Sequence, residues 1–268
     1  METGIKITDS SGGGSLAGRA NGRREYEYEV ALAARKVTST IPIVFIIASD
    51  PVKLGLAKSF AHPGGNAMGI SMMTARLVLK RLELIQELLQ QKATVGFLVN
   101  PDNQDLLQEI DEIARSTGRT LKVAKARNQD ELEPAFRHLV SAQVGAVLVS
   151  NDAIFFNLRA QLVALADRHS LPASYEFREF PAAGGLMSHG PSLVANFEKA
   201  GTYAARILGG ARPEDLPIQQ PTEFNLVLNS ATARSLGIEI PPSLLARADE
   251  VIEDNAAMHE SRTARGGP

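Results

Sequence analysis

Three short polar turns carry the side chains of this chain that are best suited to binding chemistry. They are Ser49-Asp50, Asn100-Pro101-Asp102-Asn103 and Ser150-Asn151-Asp152, and each follows an apolar run. Hydroxyls, amides and helix N-terminal N–H groups can hold a carboxylate, and an Asp can hold an ammonium group. Ser, Asn and Asp also cap helices in many proteins without binding anything. The residue types alone leave both interpretations open.

Other chemical motifs are weak in this chain. Gly64-Gly65-Asn66 is neither G-x-G-x-x-G nor a Walker pattern, so it predicts a tight loop rather than a phosphate site. The segment GLMSHG at 185–190 differs by one residue in spacing from the G-x-S-x-G elbow of hydrolases, and no acid lies at a telling position. The 5 histidines form no H-x₃-H or H-E-x-x-H pair, and there are 0 cysteines. Metal binding and thiol catalysis are therefore not expected.

Aromatic side chains near these turns have two interpretations. Tyr175, at a predicted strand end, could stack on a ligand, although packing is the stronger interpretation. Phe155 and Phe156 follow Asp152 and could form an apolar wall of a site. Two adjacent aromatics that open a helix are as often part of the core, so the pattern does not decide between them.

The elements that must position the turns alternate between strands and helices. The apolar run Ile43–Ile47 is typical of a strand covered on both faces, and Asp50-Pro51 after it predicts the start of a short helix. A second strand is predicted at 67–70. Further strands are predicted at 94–99, 121–126, 144–149, 171–175, 184–188 and 222–228, with amphipathic helices between them, the first at about 75–89.

This alternation predicts an α/β fold with βαβ units and parallel sheets. The polar turns then lie at the carboxyl ends of strands, where open α/β sheets bind ligands. A chain of 268 residues fits roughly two domains. The net charge of −2 shows no excess of basic residues of the kind that nucleic-acid-binding proteins carry. No apolar run reaches the ~18 residues of a membrane-spanning helix. The polar, Gly- and Ser-rich segment 1–29 predicts a disordered linker, and 254–268 predicts a flexible tail.

Several motifs, in order, resemble a known family. They are IPIVF at 41–45, SDPV at 49–52, PGGN at 63–66, KRLELI at 80–85, LVNP at 98–101, AGGLMSHGPS at 183–192 and the segment 215–253. This series of motifs resembles the substrate-binding proteins of ABC transporters, in the branch described as amino-acid-type or tryptophan-type. The resemblance covers about residues 30–253, nearly the whole chain after its first thirty residues.

The resemblance implies two Rossmann-like lobes with parallel sheets, of the type I periplasmic-binding-protein kind, joined by a three-crossover hinge. It places the crossings near 71–76, 181–185 and 221–223. Lobe one would comprise 30–72 plus 184–220, and lobe two 73–183 plus 222–253. Lobe one would be incomplete, since the strand–helix units that precede the IPIVF strand in the family are absent, which indicates an N-terminally truncated member.

The implied function is capture of a small solute, an amino acid or a similar molecule, in the cleft between the lobes. The ligand-binding residues implied are Ser49, Asp50, Asn66, Asn100, Asp152, Tyr175, Ser188 and His189. No catalytic residue, metal or cofactor is expected. The expected partners are the small-molecule ligand and ABC permease subunits in the membrane, with no nucleic acid. The resemblance implies a periplasmic location, whereas 1–29 has no signal-peptide pattern, so a cytoplasmic location stays open for the chain as written.

Three alternatives stay open. A chain without the first strands would bind weakly or not at all, while lobe two would stay folded. The same lobes also serve as ligand sensors of intracellular regulators, although no DNA-binding helix–turn–helix precedes them here. An enzyme on an α/β scaffold is disfavoured, because the sequence shows no convincing nucleophile, metal or nucleotide motif. The residues do not identify the ligand.

Overall fold

The computed structural model describes residues 6–8, 27–73, 77–90, 93–118 and 120–253. The strands are β1 Lys6–Thr8, β2 Ile43–Ile47, β3 Ala67–Ser71, β4 Val95–Val99, β5 Leu121–Lys125, β6 Ala146–Val149, β7 Ala173–Tyr175, β8 Met187–Gly190, β9 Asn225–Asn229 and β10 Glu250–Ile252. The helices are α1 Glu27–Val37, α2 Leu77–Leu88, α3 Gln104–Thr117, α4 Gln129–Ser141, α5 Ala153–Asn157, α6 Arg159–Arg168, α7 Glu179–Ala182, α8 Leu193–Leu208, α9 Ser230–Ser235 and α10 Pro242–Leu245, with a 3₁₀ turn at Pro213–Asp215.

The chain divides into two compact units, which we call unit 1 and unit 2. Unit 1 comprises Met1–Ala75 and Pro191–Glu223, and unit 2 comprises Arg76–Gly190 and Phe224–Pro268. Each unit contains a sheet in which neighbouring strands are mostly parallel, together with helices from the same unit. The α/β fold class predicted from the sequence is confirmed.

Unit 1 is built around β2. This strand lies between β1 and β3 in a parallel sheet of order β1-β2-β3, and all five of its side chains are buried. Both α1 and α8 pack against it. Its core joins Ile43, Phe45 and Ile47 to Leu56 and Ile218, so chain segments far apart in sequence share one apolar cluster. The unbroken run of branched and aromatic residues is what such complete burial requires.

The structure corrects two expectations for unit 1. Most of 1–29 is predicted to be a linker, yet Lys6–Thr8 pairs with β2 in parallel register and α1 begins at Glu27, while 1–5 and 9–26 lie outside the described residues. The segment after Asp50 is one closed turn and not a helix. The Leu54 amide donates to the Asp50 carbonyl at 3.1 Å, but Gly55 then adopts a left-handed φ of 70°. Because a left-handed residue ends a right-handed helix, the chain leaves the helical path there.

Unit 2 contains a sheet of order β10-β9-β8-β7-β6-β4-β5. All neighbouring strands are parallel except β8 and β9, which pair antiparallel. Strands β4 and β6 are buried at every position, and α2 packs on β6, β7 and β8. The carboxyl ends of β4, β6 and β7 therefore lie at one edge of the sheet, which is where two of the polar turns emerge.

The strand β8 belongs to unit 2, which differs from the lobe boundaries expected from the sequence. Those boundaries placed 184–190 in lobe one, after a crossing at 181–185. In the structure Tyr175 on β7 pairs with Ser188 on β8, and Ser188 pairs with Val227 on β9. The chain passes to unit 1 only after Gly190, because β8 is hydrogen-bonded on both sides within the unit 2 sheet.

Polar caps fix where the helices of unit 2 begin. Asn103, Asn128 and Asn229 each accept a backbone N–H at the start of α3, α4 and α9. Gly118 ends α3 with a left-handed φ of 64°. No helix within the described residues is long and apolar enough to cross a membrane.

Candidate functional site

A pocket lies in unit 2 beside the carboxyl ends of β6 and β7. About 200 Å³ of space lies within its outline, a volume that includes open solvent. Its lining consists of Val149, Ser150, Asn151, Asp152, Phe156, Tyr175, Glu176, Phe177 and Phe180. The segments 149–152 and 175–177 are the ends of two adjacent parallel strands, since Leu148 on β6 pairs with Ser174 on β7. The pocket therefore lies at the edge of the unit 2 sheet where β6 and β7 end.

The turn after β6 supplies the first polar wall. The Asp152 carboxylate caps α5, with Oδ1 accepting the Ile154 amide at 2.8 Å, while Oδ2 accepts the Asn100 side-chain amide at 2.9 Å. Asn100 in turn accepts the Asp102 amide at 3.1 Å. The structure thus brings together the predicted residues Asn100 and Asp152, because β4 and β6 are neighbouring parallel strands. Asn100 supports Asp152 and does not line the pocket.

Glu176 supplies the second polar wall. It follows β7 directly, is 4% exposed, and its Oε1 accepts the Asn151 side-chain amide at 3.3 Å. Asp152 and Glu176 give the pocket two carboxylates, and no Lys or Arg is among the described residues that line it. An ionised carboxylate offers about four acceptor positions. This electrostatic pattern suits a ligand with a cationic amine.

The remaining wall is aromatic. Phe156 meets Phe177 edge-to-face at 5.8 Å between ring centroids and Phe180 at 6.2 Å. Tyr175 stacks on Phe180 at 4.4 Å with an interplanar angle of 10°. Outside the pocket lining, the Arg159 guanidinium lies 5.1 Å from the centroid of Phe156. Four rings pack against one another as an apolar wall, in which Tyr175, Phe177 and Phe180 are almost completely buried and Phe156 is the most exposed ring.

Tyr175 is the predicted site residue that the pocket contains beside Asp152. Its ring is fully buried, and its hydroxyl has no hydrogen-bond partner in the described part of the chain. Burial raises the pKa of Tyr175 well above its usual range, and the positive charge of Arg81 offsets only part of this effect. The hydroxyl therefore stays protonated at neutral pH and is a potential donor.

Arg81 lies behind the pocket, on α2. It is 1% exposed, and its Nη2 donates to the Val149 carbonyl at 2.7 Å and to the Ser174 carbonyl at 2.5 Å. Burial lowers the pKa of Arg81 to about 10, while the nearby Glu176 and Tyr175 act in the opposite direction. The guanidinium is thus still charged at neutral pH. It contacts β6 and β7 next to the residues that line the pocket.

Ser188 and His189 lie on β8, the strand next to β7, and neither lines the pocket. The Ser188 hydroxyl and the His189 Nδ1 have no hydrogen-bond partner among the described residues. Burial lowers the pKa of His189, and the charges of Arg81 and Lys80 lower it further. The imidazole is therefore neutral at physiological pH. The register places Ser188 beside Tyr175, so both predicted residues are near neighbours of the pocket in the sheet.

The remaining predicted residues lie in unit 1. Ser49 and Asp50 follow β2; the Ser49 carbonyl accepts the Ser71 hydroxyl at 2.9 Å, and Asp50 Oδ1 accepts the Val52 amide at 2.8 Å. Asn66 lies at the opposite end of the unit 1 sheet, just before β3. Its side-chain amide donates to the carbonyls of Thr38 and Ile41, at 3.0 and 2.8 Å. The structure therefore separates Asn66 from Ser49 and Asp50.

Sequence reasoning missed Glu176, Phe177, Phe180 and Arg81. Glu176 follows a predicted strand just as the recognised turns do, so its position was a usable signal. Arg81 falls between Val78 and Leu82 on the apolar face of α2, where a charged residue is rare. The two phenylalanines have no local signal, since their role depends on how α7 folds back toward β7. No group of three or more His, Asp or Glu suited to a metal ion occurs in the described ranges.

Comparison with known sequences gives a family match over most of the chain. The family described as ABC transporter substrate binding protein matches residues 29–252. A tyrosine-binding protein of Clostridioides difficile (strain R20291) is 24% identical over 212 residues, which are 78% of this chain and 61% of the relative. The chain thus spans about three fifths of the length of that curated relative. The family match confirms the resemblance that the motifs indicate.

Comparison with solved structures gives the same fold. A conserved domain protein from Vibrio cholerae O1 biovar El Tor matches with a TM-score of 0.73 at 28% identity, over 83% of this chain and 75% of that one. An ABC domain from Streptococcus pneumoniae, solved in complex with L-Trp, matches with a TM-score of 0.72 at 24% identity, over 84% of this chain and 76% of that one.

Proposed function

The chain belongs to the family of ABC transporter substrate-binding proteins, and we propose that it binds a free aromatic amino acid and delivers it to an ABC permease. Unit 2 contributes the pocket at 149–152 and 175–180 to this activity. No covalent bond is made or broken. The proposed partners are the amino acid and the permease subunits in the membrane, and the proposed location is the outer face of that membrane, where uptake begins.

The observation that carries this proposal is the combination of two carboxylates and a wall of rings in one pocket. Asp152 and Glu176 can accept the ammonium group of an amino acid, since hydrogen bonds between charged groups are stronger than neutral ones. Phe156 and Phe180 can pack against an aromatic side chain. The names of two relatives support this ligand class, because one is called tyrosine-binding and the other was solved with L-Trp.

The other predicted residues have separate parts in the proposal. Asn100 holds Asp152 through its side-chain amide. Tyr175 offers a buried hydroxyl and a stacked ring. Ser188 and His189 on unit 2, and Ser49 and Asp50 on unit 1, stay predictions as further ligand contacts. The side-chain amide of Asn66 already donates to two backbone carbonyls, so Asn66 is the weakest candidate for a ligand contact among the predicted residues.

Calorimetric titration of the purified chain with L-tryptophan and L-tyrosine tests the proposal. We expect saturable binding of at least one, and little binding of indole-3-propionate or 3-(4-hydroxyphenyl)propionate, which lack the ammonium group. Glu176→Gln keeps the shape of the side chain and removes its charge. Because a hydrogen bond to a charged group contributes about 1.5–3 kcal/mol, we expect affinity to fall by roughly ten- to a hundredfold.

The matched control is Glu133→Gln on α4, whose carboxylate pairs with Arg168 and is not in the pocket lining. This variant is expected to bind like the wild-type chain. Equal binding of the amino acids and their analogues without the amine, or wild-type affinity in Glu176→Gln, would contradict the assignment of the ammonium group to this pocket. Binding of neither amino acid would refute the proposed ligand class.

A further inference from the structure

Arg81 is the most deeply buried charged side chain that the binding chemistry does not use directly. Its helix α2 packs on β6, β7 and β8, and its guanidinium reaches into the sheet. The two carbonyls that it contacts belong to Val149 and Ser174. Val149 is the first residue of one pocket segment, and Ser174 directly precedes the other, which begins at Tyr175. A single planar group therefore joins the ends of two neighbouring strands at the site.

The burial of Arg81 is poorly explained by stability alone. Removing a guanidinium from water costs free energy that two carbonyl contacts return only in part, and an apolar residue of similar volume often serves a core equally well. Its Nε has no hydrogen-bond partner in the described part of the chain. Apolar residues surround it on the same face of α2, among them Val78, Leu82 and Ile85. A buried cation at this position needs polar partners, and those are the two carbonyls and the nearby carboxylate of Glu176.

We infer that Arg81 is a positioning residue of the unit 2 pocket: it fixes the carboxyl ends of β6 and β7 relative to each other, and with them the groups that meet the ligand. This inference rests on the proposed function and deepens it by assigning a role to a residue outside the pocket lining.

The geometry gives this role a physical basis. The parallel register of β6 and β7 pairs Val147 with Ala173 and Leu148 with Ser174, so in the described residues this register ends where the pocket segments begin. The Arg81 contacts continue the connection between the strands one step further. A guanidinium holds its donors in a rigid plane, so it constrains the spacing of two acceptors more tightly than a flexible ammonium does. Its charge also acts on Glu176, the second carboxylate of the pocket.

The test compares three full-length variants. Arg81→Met removes the charge and the donors but keeps a similar volume. Arg81→Lys keeps the positive charge but lacks the rigid planar arrangement of N–H donors that a guanidinium has. Arg247→Met is the control: Arg247 forms an ion pair with Glu87 at the other end of α2, at 2.5 Å, so its loss weakens the anchoring of the same helix away from the pocket. Each variant is measured for melting midpoint, for affinity toward L-tryptophan and L-tyrosine, and for amide hydrogen exchange without ligand.

We expect Arg81→Met to fold with a lowered melting midpoint, because the buried carboxylate of Glu176 and two carbonyls lose their cation, and to lose about tenfold or more in affinity for the amino acids. Its amides at 150–152 and 175–178 should exchange faster, while those of β4 keep their protection. Arg81→Lys should fall between Arg81→Met and the wild-type chain in affinity. Arg247→Met should bind with wild-type affinity whatever its midpoint.

A folded Arg81→Met with wild-type affinity and unchanged exchange would overturn the inference. If Arg81→Met does not fold, Arg81→Lys decides: weakened binding in a folded variant supports positioning, and wild-type affinity overturns it. Failure of both variants to fold would show a structural role instead. If the wild-type chain binds neither amino acid, the proposed function fails, and local faster exchange in the ligand-free variant still decides the role of Arg81.

Discussion

Gly69 on β3 shows how one position can decide whether unit 1 folds. Its backbone φ is 156°, and a Cβ placed there would lie 1.9 Å from the carbonyl oxygen of Phe45, its partner on β2. The backbone of Phe45 cannot move away from an added Cβ as the end of a flexible side chain can. Only glycine therefore allows β3 to approach the central strand this closely.

Gly69→Ala is expected to destabilise unit 1 by more than about 4 kcal/mol, in the range reserved for severe steric conflict with backbone. Gly201→Ala, on the exposed face of α8 with nothing within 4 Å of the added Cβ, is the matched control. That variant is expected to gain about 0.5–1 kcal/mol, because alanine loses less entropy in a helix. Urea unfolding of both variants measures the difference. Similar midpoints for the two would refute the backbone conflict.

Individual site residues were predictable when their role followed from a local pattern. Asn100 and Asp152 each follow an apolar run, which predicts their place at the carboxyl ends of strands, and their hydrogen bond is a consequence of the parallel pairing of β4 and β6. Arg81 was not predictable in this way. Its partners Val149 and Ser174 lie 68 and 93 residues away, and only the packing of α2 on the sheet reveals them.

At the scale of elements, a polar cap defines the start of α4. The Asn128 side chain accepts the amides of Asp130 and Glu131 at 3.0 and 3.1 Å, and the Glu131 carboxylate accepts the amide of Arg127 at 2.8 Å. This reciprocal arrangement satisfies several N–H groups that a helix start otherwise leaves without a partner.

Asn128→Ala is expected to lower the unfolding free energy of unit 2 by about 1 kcal/mol, the usual effect of removing an N-cap. Asn128→Asp keeps an acceptor oxygen at the same position and is expected to retain most of the stability. Urea unfolding, followed by circular dichroism, measures both. Equal destabilisation by the two substitutions would show that the cap oxygen contributes little.

A pair of charges holds β10 to the segment before α7. Arg178 donates to both carboxylate oxygens of Glu250, at 2.9 and 2.6 Å. This hydrogen bonding lowers the pKa of Glu250 below its ordinary value of 4.5. Because the folded-state pKa is the lower one, the contribution to stability is complete above pH 4.5 and is lost as the pH falls through the folded-state pKa.

Arg178→Met is therefore expected to destabilise unit 2 at pH 7 by less than about 1 kcal/mol, since both side chains are partly exposed and water screens them. The difference from the wild-type chain should shrink as the pH is lowered below 4.5 and disappear once Glu250 is protonated. Melting midpoints from pH 3 to pH 7 at low salt measure it. A difference that stays constant over this range would contradict the ion-pair account.

Elements could be predicted from the sequence where they are long and periodic. The strand β4 and the helix α2 lie within a residue or two of their expected bounds, 94–99 and about 75–89. The strand β10 spans only Glu250–Ile252, and no periodicity is measurable over three residues. The unit to which β8 belongs depends on its antiparallel pairing with β9, whose residues lie almost forty positions later in the chain. Such long-range pairing produces no local pattern in the sequence.

At the scale of the whole molecule, the family assignment and the pocket rest on separate observations. The family match covers residues 29–252, a range that includes parts of both units. The pocket comes from the seven-stranded sheet of unit 2 alone. The family therefore supports the class of function, while the two carboxylates and the rings support the kind of ligand. The central claim is that an aromatic amino acid binds at this pocket.

The most direct test of that claim is an amide NMR titration of the isotope-labelled chain with L-tryptophan and L-tyrosine. The account predicts saturable shifts concentrated at residues 149–152 and 175–180 for at least one of the two amino acids, with the amides of α3 unchanged. Spectra that neither amino acid alters, or saturable shifts in unit 2 that leave these two segments unchanged, would contradict it.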